Sequence, residues 1–393
     1  MQMKFTEESK LHYFLSQPHQ PFFLLGFINA IVGMLLFMLS YKGVLTLTLS
    51  PNLLHSYSML FLLFTPAFIA FLFTTFPRFS ASAPIKQTLY LRIFALFGVG
   101  SLLFWVGCLL FLPLGIVAMV VLFLGHLWAF LTLKGIFDKA LMEDKHDIFW
   151  ILTGMGFGVV AHLLMLGSLL YAPLGGLGVQ VGVYLYLFLV AFSVAQRMVP
   201  FFSHCMNEKN IHLLKVLLTL LILRVALQSI YPGSAFLIDA ALAYITGKEI
   251  LFWKLPFPNP NPLLWILHLA LYWVPVAFAM GAMTQLAQLV GGVNLLFLDI
   301  HTLMLGFLLT ILIGFGTRVT IGHSGNMMQA TMWEKVLFNW TQVVVVMRLF
   351  VSVAAAYGWN FMVLFDISAT VWLMMFLMWG VRFFAVLVKG KSL

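Results

Sequence analysis

The stretch Asp299–Gly325, DIHTLMLGFLLTILIGFGTRVTIGHSG, decides how this chain is read. A histidine stands near each end, an arginine lies close to the second, and no charge occurs from Thr302 to Thr317. Such a run reads as a membrane-spanning helix. At ~1.5 Å per residue, His301 and His323 stand about 33 Å apart along that helix, roughly one hydrocarbon thickness. The two belong near opposite membrane faces and cannot share one metal.

Applied along the chain, the same ruler finds about twelve runs long enough to cross a bilayer. They lie near 22–41, 56–76, 89–111, 113–133, 148–171, 177–199, 213–230, 234–252, 262–283, 297–317, 336–357 and 361–386. Composition agrees: 63% of the 393 residues are hydrophobic and only 8% charged, against about 25% charged in soluble domains. The expected fold is an all-α polytopic transmembrane bundle, one integral membrane domain over residues 1–393. Spans two and ten each carry an outer histidine, a methionine one turn on and an inner arginine, an echo that would suit two six-helix halves, 1–205 and 206–393. The polar opening segment and the length of the first apolar run argue against a cleaved signal peptide. A pI near 9.5 invites a nucleic-acid partner, but the basic residues are scattered singly between apolar runs, as topology determinants are. Cys108 and Cys205 fall in a span and in a loop on the opposite side, so no disulfide is expected between them.

Positive charge sets the orientation. With the N-terminus inside, the cytoplasmic segments collect Lys4, Lys10, Arg78, Lys86, Arg92, Arg197, Arg318, Lys335, Lys389 and Lys391, among others, while Lys42 alone falls at an outer end. Both termini are therefore expected in the cytoplasm.

Ionisable residues within spans are costly and are site candidates by default. Counting helical rise from the span ends puts His55, His162 and His301 in the outer part and His126 and His268 in the inner part. Imidazole suits haem iron and copper alike. Met59 lies four residues after His55 and Met304 three after His301, so each thioether shares a helical face with its histidine and could suit Cu(I). The bland reading stands beside this one: membrane histidines commonly bridge helices, and methionine is a core filler. Arg224 and Arg348 are each followed across a tight turn by an acid at comparable depth, Asp239 and Asp366. Structural ion pairs are the favoured reading, with an arginine facing a haem propionate as the alternative. Asp299, two residues before His301, lies on a different helical face. No P-loop, dinucleotide fingerprint or zinc-protease motif occurs.

Several phrases together resemble the NnrS family of twelve-helix haem- and copper-containing membrane proteins linked to denitrification and nitric-oxide stress. QPFFLLGF at 20–27 is similar to that family's RPFFLL opening, and the segment from His55 to Pro77 to its H-x-H-E-M block. QRMVPFF at 196–202 and PLLWILHLALYW at 262–273 resemble two further blocks, and HTLMLG with TRVTIGHSG resembles H-A-L-T-x-G with T-R-x-x-x-G-H-T-G-R. The resemblance carries over His55, Arg197, Pro200, His268, His301, Arg318, Gly322, His323 and Gly325. It departs at Tyr57 and Ser58, where the family has a histidine and a glutamate, at Gln20, and at Asn326. Loss of a histidine and a carboxylate weakens copper more than haem.

The resemblance implies haem b, with copper as a second candidate, in a bacterial inner-membrane protein of the nitrosative-stress response. Nitric oxide or another small gas is the expected ligand and the lipid bilayer the surroundings, with an unidentified membrane redox partner in view. Any turnover would be that of a haem-dependent oxidoreductase acting on nitric oxide. His55, His268, His301, Arg197, Arg318 and His323 are the expected cofactor residues. The wider metal set adds His162, His126, Met59 and Met304. The alternative from another class is a metal-free twelve-helix transporter using the buried Arg/Asp pairs.

Overall fold

The computed structural model describes residues 13–205 and 207–390; Lys4, Lys10 and Lys391 of the charge map lie outside the described residues. Twelve long helices follow one another: α1 (His19–Tyr41), α2 (Pro51–Phe79), α3 (Gln87–Leu110), α4 (Leu112–Lys139), α5 (His146–Gly167) and α6 (Pro173–Phe202). Then come α7 (Leu213–Ile230), α8 (Phe236–Phe252), α9 (Pro262–Gly291), α10 (Leu298–His323), α11 (Met332–Ala356) and α12 (Phe361–Lys389). Eleven are apolar and long enough to cross a membrane, and α8 falls just short with 17 residues. The protein is an all-helical, multi-pass membrane protein, and no strand occurs among the described residues.

The helix starts carry local signals. Ser50 accepts from the Leu53 N–H with Pro51 behind it, and Asn261 accepts from the Leu263 N–H before Pro262. Thr331 and Glu334 form a capping box at α11. Each satisfies end donors that hydrocarbon cannot. The turn between α3 and α4 is tight because Gly107 and Gly115 meet there: a Cβ on Gly107 would lie 2.2 Å from the Gly115 nitrogen. Cys108 and Cys205 are both free thiols.

A feature absent from the sequence reading is a π-helical segment inside three of the spans: Ser58–Phe64 in α2, Val181–Phe188 in α6 and Thr302–Leu309 in α10. These are also the most enclosed helices, with 100%, 83% and 89% of their apolar windows buried, against at most 50% elsewhere. In α2 the Thr65 hydroxyl donates to the Leu60 carbonyl five residues back (2.7 Å), and in α10 Thr310 does the same to Leu305 (3.0 Å). The wider turn thus receives a second donor for a carbonyl that its looser ladder serves less well. The π segment recurs at every fourth span, and the threonine closes it in α2 and α10.

By contacts the chain divides into two compact units. The first holds the described residues up to Gly182, with Gly316–Met328 and the chain from Phe376. There Asn29 of α1 donates to the Leu62 carbonyl in the π segment (3.1 Å) and to Ser101 (2.9 Å), and accepts from Trp105 (2.9 Å). Gly26 lets α1 approach so closely that a Cβ would meet the Leu63 carbonyl at 3.0 Å. The second holds Val183–Phe315 and Gln329–Met375. Within it Trp273 donates to Gln342 (2.8 Å), and Trp340 to the Val371 carbonyl (2.9 Å).

Replacing Gly107 by leucine should force the α3–α4 crossing apart, at a cost of about 1–3 kcal/mol or more. A lower melting temperature in detergent checks this, and an unchanged one would show that the close approach is dispensable.

Candidate functional site

The two units share out the intramembrane polar groups. His55, Met59, His126, His162, Arg318 and His323 belong to the first; Arg197, His268, His301 and Met304 belong to the second.

In the first unit the depth grouping needs correction. His126 and His162 were assigned to opposite parts of the membrane, yet their Nδ1 atoms lie 3.4 Å apart and both residues are fully buried. Counting rise from span ends assumes upright helices of equal length, whereas α4 has 28 residues and α5 has 22. Tyr57 completes the cluster. Its hydroxyl lies 2.7 Å from His162 Nε2, and Phe61 stacks on the same imidazole at 3.9 Å between ring centroids. The Tyr57 hydroxyl also reaches the Met119 carbonyl (3.4 Å), and a chain in which His126 Nδ1–H donates to His162 Nδ1, His162 Nε2–H to Tyr57, and Tyr57 to that carbonyl satisfies each contact without burying a charge. Tyr57 is also the position at which the H-x-H-E-M pattern has its second histidine. His55 packs its ring against Phe37 at 4.3 Å. Met59 and Met304 lie within π segments, so the α-helical spacing that placed each on its histidine's face does not run through them.

In the second unit two histidines share one arrangement. The His268 Nδ1 lies 3.0 Å from the Pro256 carbonyl, and the His301 Nδ1 lies 2.8 Å from the Phe297 carbonyl. A carbonyl can only accept, so each Nδ1 carries the proton and each Nε2 the lone pair. For His268 that lone pair meets the Ser203 hydroxyl at 2.6 Å, at the end of α6. Arg197 lies half-buried in the last two turns of α6, and Arg318 half-buried near the end of α10.

The same unit contains the Arg224–Asp239 pair expected from the sequence, at 2.7 Å between Nε and Oδ1. The structure enlarges it. Asp299 receives the other arm of the guanidinium at 2.9 Å, the Tyr184 ring lies 3.6 Å beneath it, and Gln285 donates to Asp239. Tyr184 also donates to Asp299 (3.4 Å). One residue from each of α6, α7, α8, α9 and α10 thus meets in a single network. Arg348 donates to Ser352 (2.7 Å) and to the Leu296 carbonyl (3.3 Å). Sequence reasoning missed Tyr184 and Gln285, which carry no formal charge to draw attention. It noticed Asp299 but weighed it only against His301.

Whether these groups fit a cofactor follows from their geometry. An axial imidazole needs its second nitrogen oriented by a hydrogen bond; His268 and His301 both have Nδ1 so held, and the Nε2 of His268 is taken by the Ser203 hydroxyl. Copper needs several convergent donors. Among the described residues no three of His, Cys, Asp or Glu come together as a metal group, and Tyr57 and Ser58 stand where two donors of the motif would be.

Fold and sites define a polytopic helical membrane protein with buried histidines and a buried ion-pair network among its spans. The chain belongs to the NnrS protein family, whose profile it matches over residues 13–391. No individual curated protein matches it.

Replacing Arg224 by methionine leaves two buried carboxylates facing one another and should cost about 3–5 kcal/mol. Removing Asp239 and Asp299 together with Arg224, as leucines, should recover most of that loss. Thermal unfolding of the single and triple variants measures both. Independently, Tyr57→His adds a third imidazole beside His162 and His126 and should raise the copper retained per purified chain. Elemental analysis showing no change would mean that the pocket does not accept a metal.

Proposed function

We propose that this NnrS protein binds haem b through an intramembrane histidine, His301 above all, and acts in the nitric-oxide or nitrosative-stress response of a bacterial inner membrane. The observation that supports this most directly is the His301 Nδ1–H bond to the Phe297 carbonyl, which fixes the ring and makes Nε2 the nitrogen that bears the lone pair. Family membership points the same way. His268 is the second candidate, its lone pair now occupied by a serine hydroxyl that an iron would displace.

Haem iron, when bound, supplies a coordination position that nitric oxide can take. The chain's own contribution is orientation. The Phe297 carbonyl fixes the His301 tautomer and raises the basicity of Nε2. Most of α10 beyond His301 is enclosed and apolar, surroundings that a small uncharged gas can cross. The one-sided distribution of lysine and arginine supports a cytoplasmic location for both termini. Copper is less well supported than haem, because among the described residues no three of His, Cys, Asp or Glu converge on a site for it. The transporter alternative is less well supported. It asks Arg224 to exchange partners, yet that guanidinium is saturated by two carboxylates and a tyrosine face.

The test is optical and elemental. Purified protein should carry iron and show a Soret band that shifts on reduction and again with nitric oxide. His301→Ala should lose or displace that band, and His268→Ala should alter it less. Purified wild-type protein without iron or a Soret band would sink the reading.

A further inference from the structure

The first unit holds a second polar cluster that the haem reading leaves unused. It is formed where three spans end: His19 opens α1, Arg78 lies in the last turn of α2, and His323 closes α10. The His19 and His323 rings stand 4.7 Å apart, tilted to each other. His323 donates Nδ1–H to the Val319 carbonyl (3.0 Å), so its Nε2 is an acceptor, and the Arg78 guanidinium reaches it at 3.4 Å.

Three observations make this an incomplete site. The first concerns charge. Three groups able to carry positive charge meet here, and among the described residues the hydrogen-bond partner of Arg78 is a histidine, not a carboxylate. An arginine ordinarily takes an acid when one is at hand. The second is an orphan: His19 is only 1% exposed, and its Nδ1 has no hydrogen-bond partner among the described residues. A buried polar nitrogen without a partner costs free energy, and native structures rarely leave one. The third is Thr320, three residues before His323 and therefore on the same face of α10. It is 1% exposed, and its hydroxyl is likewise unpartnered among the described residues.

What is lacking is an acceptor with several oxygens and negative charge. The geometry points to a phosphate-class oxyanion, and we infer that it is the headgroup phosphate of an anionic phospholipid. The placement argues for the lipid source. Ends of spanning helices lie at headgroup depth, where basic pockets between helices receive anionic headgroups. Arg78 is exposed there, whereas His19 is enclosed, so a headgroup can enter past the arginine and be met within by the imidazole and hydroxyl. The inference does not depend on haem.

Purified, delipidated protein in mild detergent is titrated with phosphatidylglycerol, phosphatidylcholine or inorganic phosphate. Retained lipid is counted by native mass spectrometry and melting temperature is followed in parallel. Wild type should bind phosphatidylglycerol in preference to phosphatidylcholine and melt at a higher temperature with it. Arg78→Gln should weaken that binding roughly tenfold, as expected for loss of a charge-assisted contact, and His323→Gln, which removes the ring that positions the guanidinium, should weaken it less. Arg78→Lys keeps the charge but not the fork and should fall between, which separates a binding loss from misfolding. Arg92→Gln, an exposed arginine outside the cluster, should bind as wild type does. Equal loss in Arg92→Gln and Arg78→Gln would overturn the site in favour of general surface charge, as would equal binding of both lipids with no effect of phosphate. Saturation by inorganic phosphate alone would overturn the lipid assignment.

Discussion

A guanidinium buried in the hydrocarbon layer imposes the strictest constraint on the second unit. Arg224 is wholly enclosed, and a lone charge there would cost several kcal/mol. It is met by Asp239, Asp299 and the face of Tyr184, with Gln285 taking up a further oxygen of Asp239. No two of these five residues share a helix, so α6 to α10 cannot shift independently without leaving a charge exposed to apolar surroundings. Gly281 fits the same logic, since a Cβ there would press to 2.8 Å from Asp239 Oδ2. The network also reaches the proposed ligand: Asp299 is two residues before His301, so the ion pair that holds α10 also sets where that imidazole begins.

The spans were legible because hydrocarbon leaves a chain few choices. Every backbone group must be bonded within its own helix, so length and apolarity nearly suffice to find the crossings. The structure extends most spans by several residues, to Phe79 in α2 and Gly291 in α9 for example. Helical ends carry polar residues at the interface, and a hydropathy reading stops short of them. The π segments left no trace in the reading. Ser58–Phe64 and Thr302–Leu309 look like ordinary apolar helix, and only the threonine that closes each one is a usable hint. A threonine next to an apolar run is too common to decide anything alone.

The sites were legible by residue type and much less by partner. Arg224 with Asp239 could be paired because a tight turn joins their helices and makes them neighbours. His126 with His162 could not, because the loop between α4 and α5 says nothing about tilt, and a depth count cannot see a helix of 28 residues leaning against one of 22. Tyr57 was marked only as a departure from a motif. Its role emerges once His162 lies 2.7 Å from its hydroxyl: the phenol ties α2 to the imidazole of α5.

The two arginines then reverse the usual inference about membrane charges. An arginine deep in a span is by default a functional candidate, and one at a span end a mere anchor. Burial works the other way here. Arg224 is so costly to leave unmet that folding itself has supplied every partner, and a fully satisfied charge has no unmet valence with which to bind anything else. Arg78, at the end of α2, has solvent and headgroups to fall back on, so the fold tolerates giving it, among the described residues, His323 alone, with the His19 nitrogen that has no partner among them behind. The capacity to recognise a ligand survives where desolvation is incomplete, at the rim. In the interior a charge is met in full or costs the fold its stability.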